Sequence, residues 1–215
     1  MYKRQVPAKA FHERLRALTT KHGMLLMMDE VQSGMGRTGK MWAIEHFGVQ
    51  PDVVTAAKGI ASGLPLGVTV ARADIMDWPP GAHASTFGGN PVSCAAAIAT
   101  IDLLRESLVK NAAEVGDHLQ QGLRALMDKH PIIGDVRGKG LMVGVELVRD
   151  RVTKERATDE RNAVVNEAFS RGMLILGAGR NAVRFSPPLV LTKAQADTAI
   201  RLFDESLTAV TARPS

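Results

Sequence analysis

The sequence predicts an α/β protein in which a mostly parallel sheet is followed by a smaller α+β domain. In the first half of the chain, short apolar runs alternate with helical patterns, which is typical of parallel strands buried between helices. After His130 and Pro131, paired short strands and amphipathic helices replace this pattern. The smaller domain is entered through the long helical pattern that precedes this change, so we assign residues 1–104 to the larger domain and residues 105–215 to the smaller one.

The larger domain is predicted to begin with a helix over residues 8–22. Phe11 and Leu18 lie there at helical spacing, and Gly23 supplies a stop signal. Residues 24–28 follow as a continuous apolar run of strand length. The run predicts a strand that is buried on both faces, and it belongs to the predicted core.

Further elements of the larger domain follow from the same patterns. Residues 53–56 and 68–71 predict two more buried strands, separated by a loop of small residues. A long helical pattern then covers residues 91–129, with a break predicted near residues 108–111. Cys94 lies among alanines in this pattern, so we expect it to pack within the helix.

The smaller domain is predicted to contain two helices and four strands. Thr192 is the predicted N-cap of the last helix, because its hydroxyl can accept from a free backbone N–H. In order, the predicted elements are two strands about a glycine turn within residues 132–148, a helix over 155–171, strands near Leu174 and at 183–185, and a helix over 193–210.

Composition excludes several classes of function. The net charge of +5 comes from dispersed residues, and aromatic residues make up only 4% of the chain, so we expect no nucleic-acid partner. No apolar run is long enough to span a membrane, and the chain begins without the apolar stretch of a signal peptide. A single cysteine suits a reducing compartment, so we predict a soluble, cytoplasmic protein.

No metal site is predicted. His46, His83 and His130 lack the spacing of metal ligands, so we interpret them as ordinary surface or loop residues.

Two acids, Asp29 and Glu30, end the first apolar run, and a glycine-rich loop follows. Residues 34–39 fit the pattern GxGxxG, but four residues separate them from the strand, whereas in a dinucleotide site the glycines follow the strand directly. A Walker loop needs serine or threonine after its lysine, and this chain has Met41. The acids therefore face another kind of partner, and Glu30 is expected to support the loop.

Lys58 follows the second predicted strand and is flanked by the small residues Ala56, Ala57, Gly59 and Ala61, in the segment TAAKGIASG. Small neighbours allow a bulky group to approach the amine closely. We also expect them to leave the amine poorly hydrated, which would make it a better nucleophile. Lys40, in a polar turn, has no such surroundings.

A carboxylate and a reactive lysine at neighbouring strand ends suit pyridoxal 5'-phosphate. An ionised aspartate beside the ring nitrogen keeps that nitrogen protonated, as the cofactor's chemistry requires. The aldehyde of the cofactor needs a lysine for its Schiff base. Asp29 and Lys58 supply these two groups, 58 − 29 = 29 positions apart.

The segments that carry these residues resemble the class III aminotransferases of PLP fold type I. They are LLMMDEVQSGMGRTGK, PDVVTAAKGIASGLPLG and STFGGNPVSCAAA, and HPIIGDVRGKGLMVGVEL with NAVRFSPPLVLT extends the resemblance into the smaller domain. Within the family the chain is most similar to 4-aminobutyrate, acetylornithine and ornithine aminotransferases. The resemblance implies a partial fold type I large domain followed by a small α+β domain.

The resemblance also implies a role for individual residues in binding the cofactor. Asp29 would pair with the pyridine nitrogen, Val31 would pack on the ring face, and Gln32 would hydrogen-bond the phenolic oxygen. Lys58 would form the Schiff base and, once released by substrate, carry a proton between substrate and cofactor. Thr86 would reach the phosphate of the neighbouring subunit's cofactor, which implies a homodimer.

Arg184 matches the arginine of the family that receives a substrate carboxylate in a bidentate fork. Arg137 could bind an anion, but we expect it to stabilise a turn. The implied activity is transfer of an amino group from a 4-aminobutyrate- or ornithine-like donor to a 2-oxo acid. Two alternatives stay open, an aminomutase acting on glutamate 1-semialdehyde and a non-catalytic chain that associates with a full-length partner.

Members of the family carry a substantial N-terminal portion ahead of the part that this chain resembles. That portion holds the turn that cradles the phosphate and the aromatic residue that stacks on the ring. Backbone N–H groups of such a turn provide most of the binding of a phosphate anion. Without that turn, we expect this chain alone to bind the cofactor weakly or not at all.

Overall fold

The computed structural model describes residues 5–212. The chain divides into two compact units, one of residues Pro7–Lys110 and one from Asn111 onward, to which residues 5–6 also belong. We call these the lysine unit, after Lys58, and the arginine unit, after Arg184. The domain boundary predicted at residue 104 stays a prediction.

The lysine unit contains a three-stranded sheet in the order β1-β2-β3. Its strands are β1 (Met27–Asp29), β2 (Val53–Ala56) and β3 (Val68–Ala71). β1 pairs with β2 in parallel, and β3 pairs with β2 antiparallel. The mixed α/β character is confirmed, although among these three strands only one of the two pairings is parallel.

The first apolar run differs from its prediction. The strand begins at Met27 rather than residue 24, and Met24, Leu25 and Met27 are about half exposed (49%, 53% and 60%) while Leu26 is buried. Successive strand side chains point to opposite faces, so one face of the run stays exposed in this chain. The prediction of a core strand buried on both faces is therefore wrong here, and Val70 of β3 is exposed as well.

The helices of the lysine unit largely follow their predictions. Asn90 caps α2, because its Oδ1 accepts hydrogen bonds from the N–H groups of Val92 and Ser93 at 3.0 and 3.2 Å. Pro91, at the first position of α2, has no backbone N–H and so needs no hydrogen-bond acceptor there. The helices are α1 (Lys9–Lys21), two 3₁₀ helices (Ala43–Phe47 and Lys58–Ala61) and α2 (Pro91–Leu103).

The break predicted near residues 108–111 is wrong. The chain instead passes from α2 through a π-helical stretch, Leu104–Leu108, directly into α3 (Val109–Lys129). A π-helical turn accommodates an irregular sequence by widening the helix without ending it.

The arginine unit is an antiparallel sheet in the order β4-β5-β7-β6, covered by helices. The glycine turn predicted between the first two strands is confirmed, with Gly140 at φ +50°. Thr192 caps the last helix as predicted, accepting from the Gln195 N–H at 3.2 Å. The elements are β4 (Ile133–Lys139), β5 (Met142–Leu147), α4 (Thr158–Ser170), β6 (Leu176–Ala178), β7 (Ala182–Phe185) and α5 (Lys193–Thr211).

The core of the arginine unit lies between one face of this sheet and its helices. Val143, Val145 and Val183 point to that face and are fully buried. Phe185 of β7 packs edge-on against Phe203 of α5, with 5.2 Å between ring centroids. Because side chains alternate along a strand, residues 182 and 184 of β7 point to the opposite face.

Gly116 of α3 is in direct contact with the turn of the β4–β5 hairpin. A Cβ at this position would lie 2.2 Å from the carbonyl carbon of Gly140. Backbone cannot move aside as a side chain can, so we expect Gly116→Ala to lower the free energy of unfolding by about 2–3 kcal/mol. Urea denaturation measures this change. Gly67→Ala is the control, because a Cβ at Gly67 meets nothing within 4 Å, and a loss as large in the control would contradict the explanation.

One histidine differs from its prediction. His130 is buried, and its Nε2 lies 2.5 Å from Oδ1 of Asp204. Burial alone would raise the pKa of Asp204, but hydrogen bonds from His130 and Lys129 lower it. His46 is half-buried and lies 3.0 Å from the Thr38 carbonyl oxygen. His130 is thus a packed residue rather than a surface one.

Among the residues that the structure describes, no cluster of His, Cys, Asp and Glu side chains is arranged to hold a metal ion. The helices in residues 5–212 include none that is both long and apolar enough to cross a membrane.

Candidate active site

Asp29 and Lys58 lie at the same edge of the sheet of the lysine unit. Asp29 is the last residue of β1 and is in register with Thr55 on the adjacent parallel strand β2. Lys58 begins the 3₁₀ helix that follows β2. Ligands of open α/β sheets bind beyond the carboxyl ends of parallel strands. The structure therefore brings the two predicted residues to the edge where such a ligand would bind.

The Asp29 carboxylate is exposed and held in a fixed orientation. Its Oδ1 accepts a hydrogen bond from the N–H of Val31 at 3.0 Å. Val31 is half-buried, whereas Gln32 is exposed. The Asp29 carboxylate is therefore exposed to solvent, and the apolar side chain of Val31 lies two residues further along the chain.

Glu30 has the supporting role that the sequence predicts. It is 2% exposed, its Oε2 accepts from the Ser33 hydroxyl, and its Oε1 accepts from the Ile44 N–H at 2.8 Å. Its own N–H donates to the Thr55 carbonyl at 2.9 Å. Glu30 thus joins β2, the glycine-rich loop and the following 3₁₀ helix.

The glycine-rich loop is not a phosphate cradle of the dinucleotide type. The Gly34 N–H donates to the Glu30 carbonyl, the Gly36 N–H to Met41 and the Gly39 N–H to Gly36. The loop leads into the five-residue 3₁₀ helix rather than opening an α-helix. Burial lowers the pKa of the Arg37 guanidinium in this loop.

Lys58 has an uncommon backbone conformation, with φ +51°. Non-glycine residues with positive φ cost energy and cluster at functional sites. The prediction of a poorly hydrated amine is wrong for this chain by itself, because Lys58 is exposed. The turn that carries it is nevertheless fixed, since Ile60 and Ala61 are buried and the hydroxyls of Ser62 and Thr100 of α2 lie 2.9 Å apart.

Thr86 is exposed in the segment that precedes α2. Its neighbours line a cavity of about 570 Å³ in the lysine unit. The lining residues are Pro65, Leu66, Gly67, His83, Ala84, Ser85, Phe87, Gly88 and Gly89.

Arg184 belongs to the arginine unit, where it is half-buried on the sheet face opposite the core. It is in register with Gly144 of β5 on one side and Leu176 of β6 on the other. Among the described residues, none forms an ion pair or side-chain hydrogen bond with its guanidinium. A half-buried guanidinium without a carboxylate is available to an anionic ligand.

Arg137 differs from Arg184 in having its charge balanced. Its Nη1 lies 2.7 Å from both Asp135 and Glu146. Burial alone would lower the pKa of Arg137, but these hydrogen bonds raise it. Arg137 thus has a structural role, but it joins β4 to β5 and does not stabilise a turn as expected.

Comparison with known proteins shows the family. The family model for class-III aminotransferases matches residues 4–207. The chain therefore belongs to the class-III aminotransferases, and its predicted cofactor, pyridoxal 5'-phosphate, is the cofactor of that family.

Individual relatives include enzymes of two activities. A leucine/methionine racemase of Thermococcus litoralis is 45% identical over 204 residues, covering 94% of this chain and 46% of the racemase. An acetylornithine aminotransferase of Nostoc sp. is 43% identical over 204 residues, with 94% and 46% coverage. The structure of an amine transaminase from an uncultivated Pseudomonas species, in its PLP-bound form, matches with a TM-score of 0.89 at 36% identity, covering 95% of this chain and 49% of that one.

The chain spans about half the length of the curated relatives it matches. The residues present fit the part of a pyridoxal phosphate site that they would form. An oriented carboxylate ends β1, and an exposed primary amine follows the next parallel strand.

Proposed function

We propose that the protein containing this chain is a transaminase that moves an amino group from an amine or amino acid to a 2-oxo acid. The donor class is 4-aminobutyrate- or ornithine-like. The observation that supports the proposal is the placement of Asp29 and Lys58 at the ends of two adjacent parallel strands. Pyridoxal phosphate, when bound, supplies the electron sink that stabilises negative charge at the substrate carbon.

The residues of the lysine unit have distinct proposed roles. Asp29, oriented by the Val31 N–H, would hold a proton on the ring nitrogen. Val31 would pack against the ring, and Gln32 would donate to its phenolic oxygen. The Lys58 amine would hold the cofactor through its aldehyde carbon and, once free, would take up and return the substrate proton.

A homodimer belongs to the same proposal. Thr86 is exposed in this chain, so its hydroxyl is available to a phosphate held by a second subunit. A cytoplasmic location stays a prediction from the single cysteine. Weak cofactor binding by the 215-residue chain alone also stays a prediction.

The test is amino transfer by a protein that joins these residues to the N-terminal portion present in the relatives. Purified protein is given an amino donor with and without a 2-oxo acid, and both products are quantified. A transaminase forms the new amino acid only when the 2-oxo acid is present. Product formation from glutamate 1-semialdehyde without an acceptor would favour the aminomutase alternative, which the comparisons do not favour.

Amino-acid racemisation is the second candidate, because a relative at 45% identity is a leucine/methionine racemase. A racemase acts on one enantiomer of an amino acid without any 2-oxo acid. Chiral chromatography of L-leucine or L-methionine incubated with the same protein distinguishes the two. Appearance of the D-enantiomer at turnover rates, with no amino transfer, would replace the transaminase proposal.

We expect Arg184→Lys to lower kcat/KM for a carboxylate-bearing substrate by roughly ten- to a hundredfold. Lysine keeps the charge but loses the bidentate fork, and a charge-assisted hydrogen bond contributes about 1.5–3 kcal/mol. Amines without a carboxylate are expected to change little in their own half-reaction, so they serve as the internal control. Equal losses for both amine types would mean that Arg184 stabilises the arginine unit and does not bind substrate.

A further inference from the structure

We propose that Arg161 is a positioning residue that fixes the strand carrying Arg184 and thereby sets the preference for carboxylate substrates. The inference rests on the function proposed above for Arg184. Arg161 lies on α4 and is only 9% exposed, and the described residues give it no carboxylate partner. Burying a guanidinium is costly unless its donors are satisfied, so its contacts identify what it holds.

The contacts of Arg161 join the two ends of one turn. Its Nη1 donates to the carbonyl of Ala182 at 3.2 Å and to that of Gly179 at 3.4 Å. Gly179 follows the last residue of β6, and Ala182 is the first residue of β7. Its Nε donates to Oδ1 of Asn162 at 2.9 Å, which orients the guanidinium. One side chain of α4 thus holds both strands where the hairpin turns.

A glycine on β6 leaves the space that Arg161 occupies. A Cβ at Gly177 would lie 2.2 Å from Nη1 and 2.8 Å from Cζ of Arg161. The guanidinium is the far end of a flexible side chain, so a methyl group there would displace Arg161 and leave the strand in place. Gly177→Ala therefore removes the contacts of Arg161 without removing Arg161.

The link to Arg184 is short and runs along β7. Arg184 is two residues beyond Ala182, the residue that Arg161 holds. The guanidinium of Arg161 lies on the helix-covered face of the sheet, and Arg184 points to the other face. Among the described strands, β6 lies at one edge of this sheet and pairs with β7 alone. β7 also pairs with β5, so Arg161 acts on the end of β7 where the hairpin turns. Loss of the Arg161 contacts is expected to loosen the backbone that presents Arg184.

Amide hydrogen exchange of the 215-residue chain tests the positioning directly. We expect Arg161→Ala and Gly177→Ala each to speed exchange at residues 183–185 roughly tenfold, the effect of losing about one charge-assisted hydrogen bond. In the double variant Arg161→Ala/Gly177→Ala, the methyl group added at residue 177 meets no guanidinium. Exchange at residues 183–185 should therefore be no faster than in Arg161→Ala alone. Arg201→Ala is the matched control, because Arg201 is an exposed arginine that pairs with Glu205 of its own helix at 2.7 Å.

Selectivity provides the second measurement, in the protein extended with the N-terminal portion of its relatives. Arg161→Ala and Gly177→Ala are expected to raise KM for a carboxylate-bearing substrate about tenfold while KM for an amine without a carboxylate stays within twofold. A residue that only stabilises the fold would lower the melting temperature and leave this ratio unchanged. Circular dichroism tests whether each variant is folded. If Arg161→Ala does not fold, Gly177→Ala alone provides the measurement.

Each outcome decides between the alternatives. Unchanged exchange at residues 183–185, or a change no larger than in Arg201→Ala, overturns the positioning role. Faster exchange with an unchanged KM ratio, where Arg184→Lys does alter that ratio, shows that Arg161 is structural only and overturns the proposal. If Arg184→Lys itself has no effect, the proposed role of Arg184 fails together with the selectivity claim, and exchange alone decides whether Arg161 holds β7.

Discussion

Lys58→Ala is expected to abolish amino transfer in the extended protein, with kcat falling by at least about 10³- to 10⁴-fold. The amine has two proposed tasks, binding the aldehyde of the cofactor and moving the substrate proton, and positioned proton transfer alone contributes about 10²- to 10⁴-fold. Lys58→Arg keeps the positive charge but cannot perform either task at neutral pH, because a guanidinium stays protonated. We therefore expect it to be as inactive as the alanine variant.

The left-handed backbone at Lys58 gives this prediction its structural basis. A φ of +51° costs energy, and the buried residues Ile60 and Ala61 hold the turn that imposes it. The fold thus fixes the backbone from which the Lys58 side chain extends. Alanine at this position keeps the turn, so the melting temperature should change much less than activity does.

Peptide mapping after borohydride reduction of the cofactor-loaded protein provides the independent measurement. The phosphopyridoxyl group should be found on the peptide that contains Lys58. Lys40→Arg is the matched control, because Lys40 is an exposed lysine in the glycine-rich loop, and this variant should keep both label and activity. A label on Lys40 would show that the lysine assignment is wrong.

The sequence was sufficient to predict the elements whose partners lie within this chain. The β4–β5 hairpin, the helix after Thr192 and the strands β2 and β3 follow from local patterns of apolar residues, glycines and caps. The placement of Asp29 and Lys58 at one edge of the sheet was also predictable, because each lies at or just beyond the end of a strand that the apolar pattern identifies. Their roles toward the cofactor stay predictions. The role of Glu30 in supporting the loop was also inferred correctly, from its place directly before the glycine-rich segment.

Other features depend on contacts that no local pattern records. The burial of residues 24–28 depends on what covers each face of β1, and in this chain one face is exposed. The spacing of apolar residues in Leu104–Leu108 does not distinguish a π-helical stretch from an α-helix or from a break between two helices. Arg161 looks like any helical arginine in sequence. Its significance appears only when Gly177, sixteen positions later, is seen to leave room for it.

Asp29→Asn is expected to lower kcat in the extended protein by roughly 10²- to 10³-fold, the size of effect seen when one preorganised polar contact to developing charge is removed. Asparagine keeps the shape of the side chain, and its amide oxygen can still accept from the Val31 N–H, the contact that orients Asp29 at 3.0 Å. It lacks the negative charge that would hold a proton on the ring nitrogen. The variant therefore separates charge from position.

Glu30→Gln is the matched control for this prediction, because Glu30 is the adjacent carboxylate and is 2% exposed. Its oxygens accept from Ser33 and from the Ile44 N–H, so its loss should lower the melting temperature while kcat of the folded protein falls by less than about tenfold. Rate measurements and thermal unfolding on both variants distinguish the two acids. If Asp29→Asn kept kcat within about threefold, less than the loss of a single neutral hydrogen bond implies, Asp29 would not be the acid that pairs with the ring. If instead Glu30→Gln lost activity with unchanged stability, the carboxylate that acts in the reaction would be the buried one.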